Sequence, residues 1–160
     1  MHSSVLRQIL LCVLVVAALP VIAFADSGTL LVLNKSDNNV SLINVATGTS
    51  VAIIPTGAGP HEVAVSPNGK LAVVANYGTQ QAPGNSLTVI DIAGKKSVKT
   101  IDLGEYRRPH GIEWLRGNEI VVTAEGNKAL LIVDIESGKV AAAVTITIGT
   151  NHADTVSASR

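Results

Sequence analysis

One short pattern occurs three times in this chain, each time with a histidine at the same place. The copies are Gly59-Pro60-His61-Glu62-Val63, Arg108-Pro109-His110-Gly111-Ile112 and Thr150-Asn151-His152-Ala153-Asp154. The histidines are 49 and 42 residues apart, and other landmarks recur with nearly the same step. A period in the forties, with four short apolar runs per unit, is the signature of β-propeller blades. A single such sheet cannot bury its own faces, so successive units must stack.

The apolar runs lie between turn signals. Leu30 to Leu33, Asn39 to Val45 and Ser50 to Ile54 form a first group. His61 to Ser66, Lys70 to Ala75, Ser86 to Ile92 and Ser97 to Leu103 form a second. His110 to Leu115, Glu119 to Thr123, Ala129 to Ile135 and Lys139 to Ile148 form a third, and His152 to Ser157 opens a fourth. Ser66-Pro67-Asn68-Gly69 is a tight-turn signal, since Pro presets φ and Asn-Gly accepts positive φ. Such short turns make consecutive strands antiparallel neighbours. No segment after the first residues has helical periodicity. The expected fold is all-β: four-stranded antiparallel blades, about three of them, in a partial or open ring. Gly78 to Asn85 is an irregular insertion, read as a surface loop or as a ligand-facing lip.

The first 25 residues read as a secretory signal peptide. Arg7 precedes an unbroken apolar run from Ile9 to Leu19, and Ala23-Phe24-Ala25 offers small residues for cleavage after Ala25. The run is shorter than the roughly 20 apolar residues of a spanning helix, so no membrane span is expected after cleavage. The expected location is periplasmic or secreted, with residues 26 to 160 forming the propeller part. The single cysteine, Cys12, lies inside the leader. Thiol catalysis and thiolate metal sites are therefore excluded, and stability must come from burial and strand pairing. Without Arg7, 11 basic residues face 12 acidic ones with no basic patch, which argues against nucleic acid as a partner. Tyr77, Tyr106 and Trp114 are the aromatic residues after the leader, so the core must be built from Val, Ile, Leu and Ala.

The run from Gly59 through Lys70, Gly-Pro-His-Glu-Val-Ala-Val-Ser-Pro-Asn-Gly-Lys, resembles the repeat signature of the YVTN family of β-propellers. Val73-Val74-Ala75-Asn76 resembles the element that names the family. Val89-Ile90-Asp91-Ile92 and Val133-Asp134-Ile135 resemble its Val-Ile-Asp element, followed in the second case by the turn Ser137-Gly138-Lys139. The resemblance covers essentially all of residues 26 to 160 and implies the propeller fold. For function it implies an exported binding or scaffold module with the channel face as ligand surface. Related propellers also imply enzymes (lactonases with a metal in the channel, quinone-dependent dehydrogenases, haem-binding nitrite reductase domains) or cell-surface structural and adhesion proteins. Departures are Asn44 for the usual Asp, Glu125 where Asn34 and Asn76 lead one to expect Asn, and Trp114 to Asn118 in place of the usual tight turn.

Propellers usually have four to eight blades, and this chain supplies about three. Either it is a piece of a longer propeller, or two chains associate as a homodimer that completes a six-bladed ring. In the second case the strand from His152 to Ser157 would complete the partner's first blade.

His61, His110 and His152 each stand at the entry to an innermost strand, which places them on the channel rim. There imidazole can bind an anion, a metal or a polar small molecule, or it can satisfy backbone groups of the neighbouring blade. Three histidines sharing one ion need nitrogens about 2.1 Å from it, and neighbouring blades are expected to hold them too far apart. Arg107 and Arg108 are candidate anion donors on the same rim. Asp91 and Asp134 occupy matched turn positions and should accept from turn amides rather than meet as a catalytic pair. Asn34, Asn76 and Glu125 are expected to bond across blades. No nucleophile–base set, phosphate loop, haem-attachment motif or metalloprotease motif is present, so no catalytic residue, cofactor or ligand identity follows from the sequence.

Overall fold

A computed structural model describes residues 27 to 146. They form three antiparallel sheets. The first contains β1 (Thr29–Asn34), β2 (Asn39–Asn44) and β3 (Thr49–Pro55). The second contains β4 (Pro60–Val65), β5 (Leu71–Gly78), β6 (Pro83–Asp91) and β7 (Lys96–Asp102). The third contains β8 (Pro109–Arg116), β9 (Glu119–Ala124), β10 (Ala129–Asp134) and β11 (Lys139–Thr145). Strand order follows chain order in every sheet, as in propeller blades. The one helical element among the described residues is a single 3-10 turn, Glu125–Asn127. The expected strand from His152 to Ser157 and the leader both lie outside the described residues.

Alternation along each strand decides which blade a side chain meets. In β5, Ala72 and Val74 pack with Val40, Leu42 and Ile54 of the first blade. Val73 and Ala75 turn the other way, toward Ile112, Ile120, Val122 and Leu131 of the third. The central strand is therefore apolar on both faces, and all four of these residues are fully buried. Each fully buried Leu or Ile in these two seams contributes about 1.5–3 kcal/mol by leaving water. The outer strands β3, β7 and β11 are mostly exposed.

The register makes the repeat explicit. The same irregularity falls between Leu42 and Ile43, Val89 and Ile90, and Ile132 and Val133. The turns that follow are closed alike. Asn44 Oδ1 accepts from Thr47 N at 3.0 Å, Asp91 from Gly94 N at 2.9 Å, and Asp134 from Ser137 N at 2.6 Å. Asn44 thus does the work of the expected aspartate, and Ser137 holds the half-buried Asp134 below the usual carboxylate range. Where the third blade lacks the tight turn, the Trp114 indole donates to Gly117 O at 2.9 Å. The insertion is less irregular than expected. Gly78 pairs with Pro83, so part of it extends the β5–β6 hairpin.

Two expectations are corrected by this register. Asn34 and Asn76 bond within their own blades, not across. Asn34 Nδ2 donates to Asn39 Oδ1 and Ser41 Oγ, and Asn76 Nδ2 to Ser86 Oγ and Thr88 Oγ1. The residue equivalent to Asn76 in the third blade is Ala124, since Pro60 pairs with Asn76 and Pro109 with Ala124. There Ala129 and Leu131 stand where Ser86 and Thr88 stand, so the buried polar set has become apolar. The connection changes with it. Gly57 lies against Asn76, and an added Cβ would come within 2.5 Å of Nδ2. The matching Tyr106 packs on the cluster that contains Ala124.

Asn76→Ala removes two buried hydrogen bonds and leaves a small void, so it should cost about 2 kcal/mol in urea unfolding. Gly57→Ala should also destabilise, by clash with the Asn76 amide. The double variant should be less costly than the sum, because the first change makes room for the second. Strict additivity would contradict this packing account.

Candidate functional site

Both described histidines sit in β-bulges. The β4–β5 register slips between Pro60 and Glu62, and the β8–β9 register between Pro109 and Ile112. A bulge re-aims the extra side chain out of the regular alternation. Here the two rings meet across the blade seam, with centroids 4.1 Å apart. The expectation that neighbouring blades hold these imidazoles far apart is therefore wrong for His61 and His110. The bulges bring them together, and no periodic pattern announces a bulge. His110 is buried, and its Nδ1 lies 3.4 Å from Glu62 Oε1. His152 lies outside the described residues.

Tyr77 stands beside both rings, 5.2 Å from His61 and 5.4 Å edge-on from His110. Its hydroxyl donates to Glu125 Oε2 at 2.5 Å, which joins the second blade to the third. Lys35 Nζ lies over its ring at 5.1 Å, which joins the first blade to the second. Lys35, Tyr77 and Glu125 are equivalent positions, each one residue beyond the position shared by Asn34, Asn76 and Ala124. Tyr77 N donates to Gly59 O and Glu125 N to Arg108 O, which confirms the match. A cation, an aromatic ring and a carboxylate thus link three blades along the rim.

Arg108 joins this cluster and Arg107 does not. Arg108 Cζ lies 4.9 Å from the Tyr77 ring centroid, a cation–π distance. Its guanidinium also donates to Gln80 O in the inserted loop at 3.3 Å. Arg107 is exposed and folds back on its own connection, donating to Gly104 O. Arg108 has φ +57°, matching Gly59 at φ +58°. In the left-handed region a side chain costs about 1–3 kcal/mol unless the surroundings hold it.

Burial is the main cause that raises the Tyr77 pKa above 10.0, followed by its bond to Glu125; Arg108 opposes both. The phenol is therefore neutral and donating at ordinary pH. Sequence reasoning missed Glu62, Tyr77 and Lys35 as members of the site; Glu125 does bond across blades, as expected, through Tyr77. Aligning the residue after each second strand would have grouped Lys35, Tyr77 and Glu125. Two clefts of about 520 and 360 Å³ lie elsewhere, one around Thr56, Thr88 and Ser97 and one around Val98, Asn118 and Glu136. Neither touches the histidines.

Three stacked antiparallel blades with equivalent rim positions define a β-propeller architecture. The sequence pattern of the YNCE-like beta-propeller family matches residues 4–82. A chain of the Kuenenia stuttgartiensis hydrazine synthase is similar in structure, with TM-score 0.64 and 24% identity over 74% of this chain. The match covers 33% of that chain, so this protein spans about a third of its length, and the likeness shows the fold alone. No curated protein matches the chain.

Arg108→Gly should leave the melting temperature unchanged or raise it slightly, because relief of the left-handed strain offsets the lost ring contact; a marked drop in a thermal melt would contradict this. Since the folded Tyr77 pKa is raised, the unfolded chain loses its phenol proton first, and stability should fall as pH rises above about 10. Tyr77→Phe should remove that slope from pH-dependent unfolding curves and the late phenol step from an ultraviolet titration.

Proposed function

We propose that this protein is an exported, YVTN-type β-propeller binding module whose ligand surface is the channel rim at the seam of its second and third blades. The observation that supports the reading most is the convergence of His61, His110 and Tyr77, with Arg108 and Lys35 over the Tyr77 ring. Stacking of hydrophobic strands does not require two imidazoles in contact or an arginine in a glycine conformation. Together they present ring nitrogens, guanidinium donors and an ammonium group to one place. That set suits a small, polar, negatively charged ligand.

The test is nuclear magnetic resonance of histidine ring signals with a panel of small carboxylates and phosphate. Saturable shifts of His61 and His110, weakened about tenfold in Arg108→Gly, are the expected result. Flat titrations across the panel would remove the reading.

A ring completed by a second copy is the partner reading we propose. It is supported by the first sheet, which has three strands where the others have four, leaving the inner edge of β1 unpaired by any strand among the described residues. Leu30 on β1 is 52% exposed. Unpaired edges of this kind recruit strands. Sedimentation or light scattering of the mature chain should give twice the monomer mass, and a folded monomer would refute the paired ring.

A further inference from the structure

We infer that His61, Glu62 and His110 hold a divalent transition-metal ion of the zinc class. The inference rests on the proposed placement of the ligand at this seam and names what would anchor it there. One ligand atom from each residue lies within 4.8 Å of the other two. Bonds of about 2.1 Å at tetrahedral angles require ligand atoms roughly 3.4 Å apart. Glu62 Oε1 and His110 Nδ1, at 3.4 Å, already have that separation. The widest pair needs to close by little more than one ångström, within the reach of side-chain rotation about Cα–Cβ bonds.

The donor set narrows the ion. Two imidazoles and one carboxylate suit zinc, cobalt, nickel or ferrous iron, whereas calcium asks for six to eight oxygens and magnesium for an octahedral oxygen shell. Three protein donors also leave a fourth position for another ligand. His110 is buried while the Glu62 side chain is 36% exposed, so the position is walled on one side and reachable on the other.

The backbone agrees with this choice. His61 and His110 are the side chains that the two bulges displace, on separate blades that only stacking brings together. One carboxylate leaves a bound dication with net positive charge, and Arg108 and Lys35 over the adjacent Tyr77 repel it until an anion binds beside it. The fourth position is thereby suited to an anion, the ligand class proposed above.

The experiment is titration of the full chain with Zn²⁺ by equilibrium dialysis, and with Co²⁺ by visible absorption. One ion per chain with a tetrahedral cobalt spectrum is expected. Glu62→Gln and His61→Gln should each weaken binding about tenfold or more. Glu62 is half-exposed, so its variant should keep the wild-type melt in metal-free buffer and lose only the metal-dependent rise. Absence of a bound ion, or binding that both variants retain, would overturn the inference; the second result would place the ion on other residues. If anions still shift the histidine rings of the metal-free chain while no ion binds, the metal falls and the binding surface stands. If neither binds, both readings fall.

Discussion

The structure depends on sheets that have two apolar faces and no water-facing alternative. β5 shows the constraint at its plainest: Ala72 and Val74 are buried against one neighbour, Val73 and Ala75 against another. A strand of this kind fails in a lone sheet. It becomes stable when blades stack on both sides, and the stacking direction then fixes which loops share a face. The meeting of His61 with His110 is a consequence of that geometry, since sequence distance alone would keep them apart.

Within this frame the seams are chemically unequal. The second blade faces the first with a buried polar set around Asn76, tied to the connection through Gly57 N and Thr88 Oγ1 at 3.2 Å. The third blade faces the second with Ala124, Ala129 and Leu131, and with Tyr106 where Gly57 would be. Each solution is self-consistent. Buried amides are stabilising when fully bonded, and replacement of the whole set by apolar groups need cost little. A large residue in the connection goes with a small one in the strand, so the pair changes together.

The fold was largely legible in the chain. Strand positions follow from β-branched runs between turn residues, and the described strands lie where the alternation puts them to within a few residues. The rim was legible in part. The Pro-His pairs at 60/61 and 109/110 mark loops that meet in the structure, and Arg108 lies beside them. What stayed hidden depended on register and bulges. A one-residue shift made Glu125 look like the counterpart of Asn76, when its counterpart is Tyr77. Lys35 carries no repeat signature at all, because the three equivalent positions hold a cation, a phenol and a carboxylate. Chemistry that varies from unit to unit is invisible to a search for sameness.

That variation along the rim has one more consequence. Lys35 reaches Tyr77 and Tyr77 reaches Glu125, so these contacts run from each unit to the next. The buried seams and this polar edge both differ from one unit to the next. Moving the third unit ahead of the second would replace the Lys35–Tyr77 contact by an ammonium facing a carboxylate. Each order of these similar modules would therefore carry its own set of edge contacts.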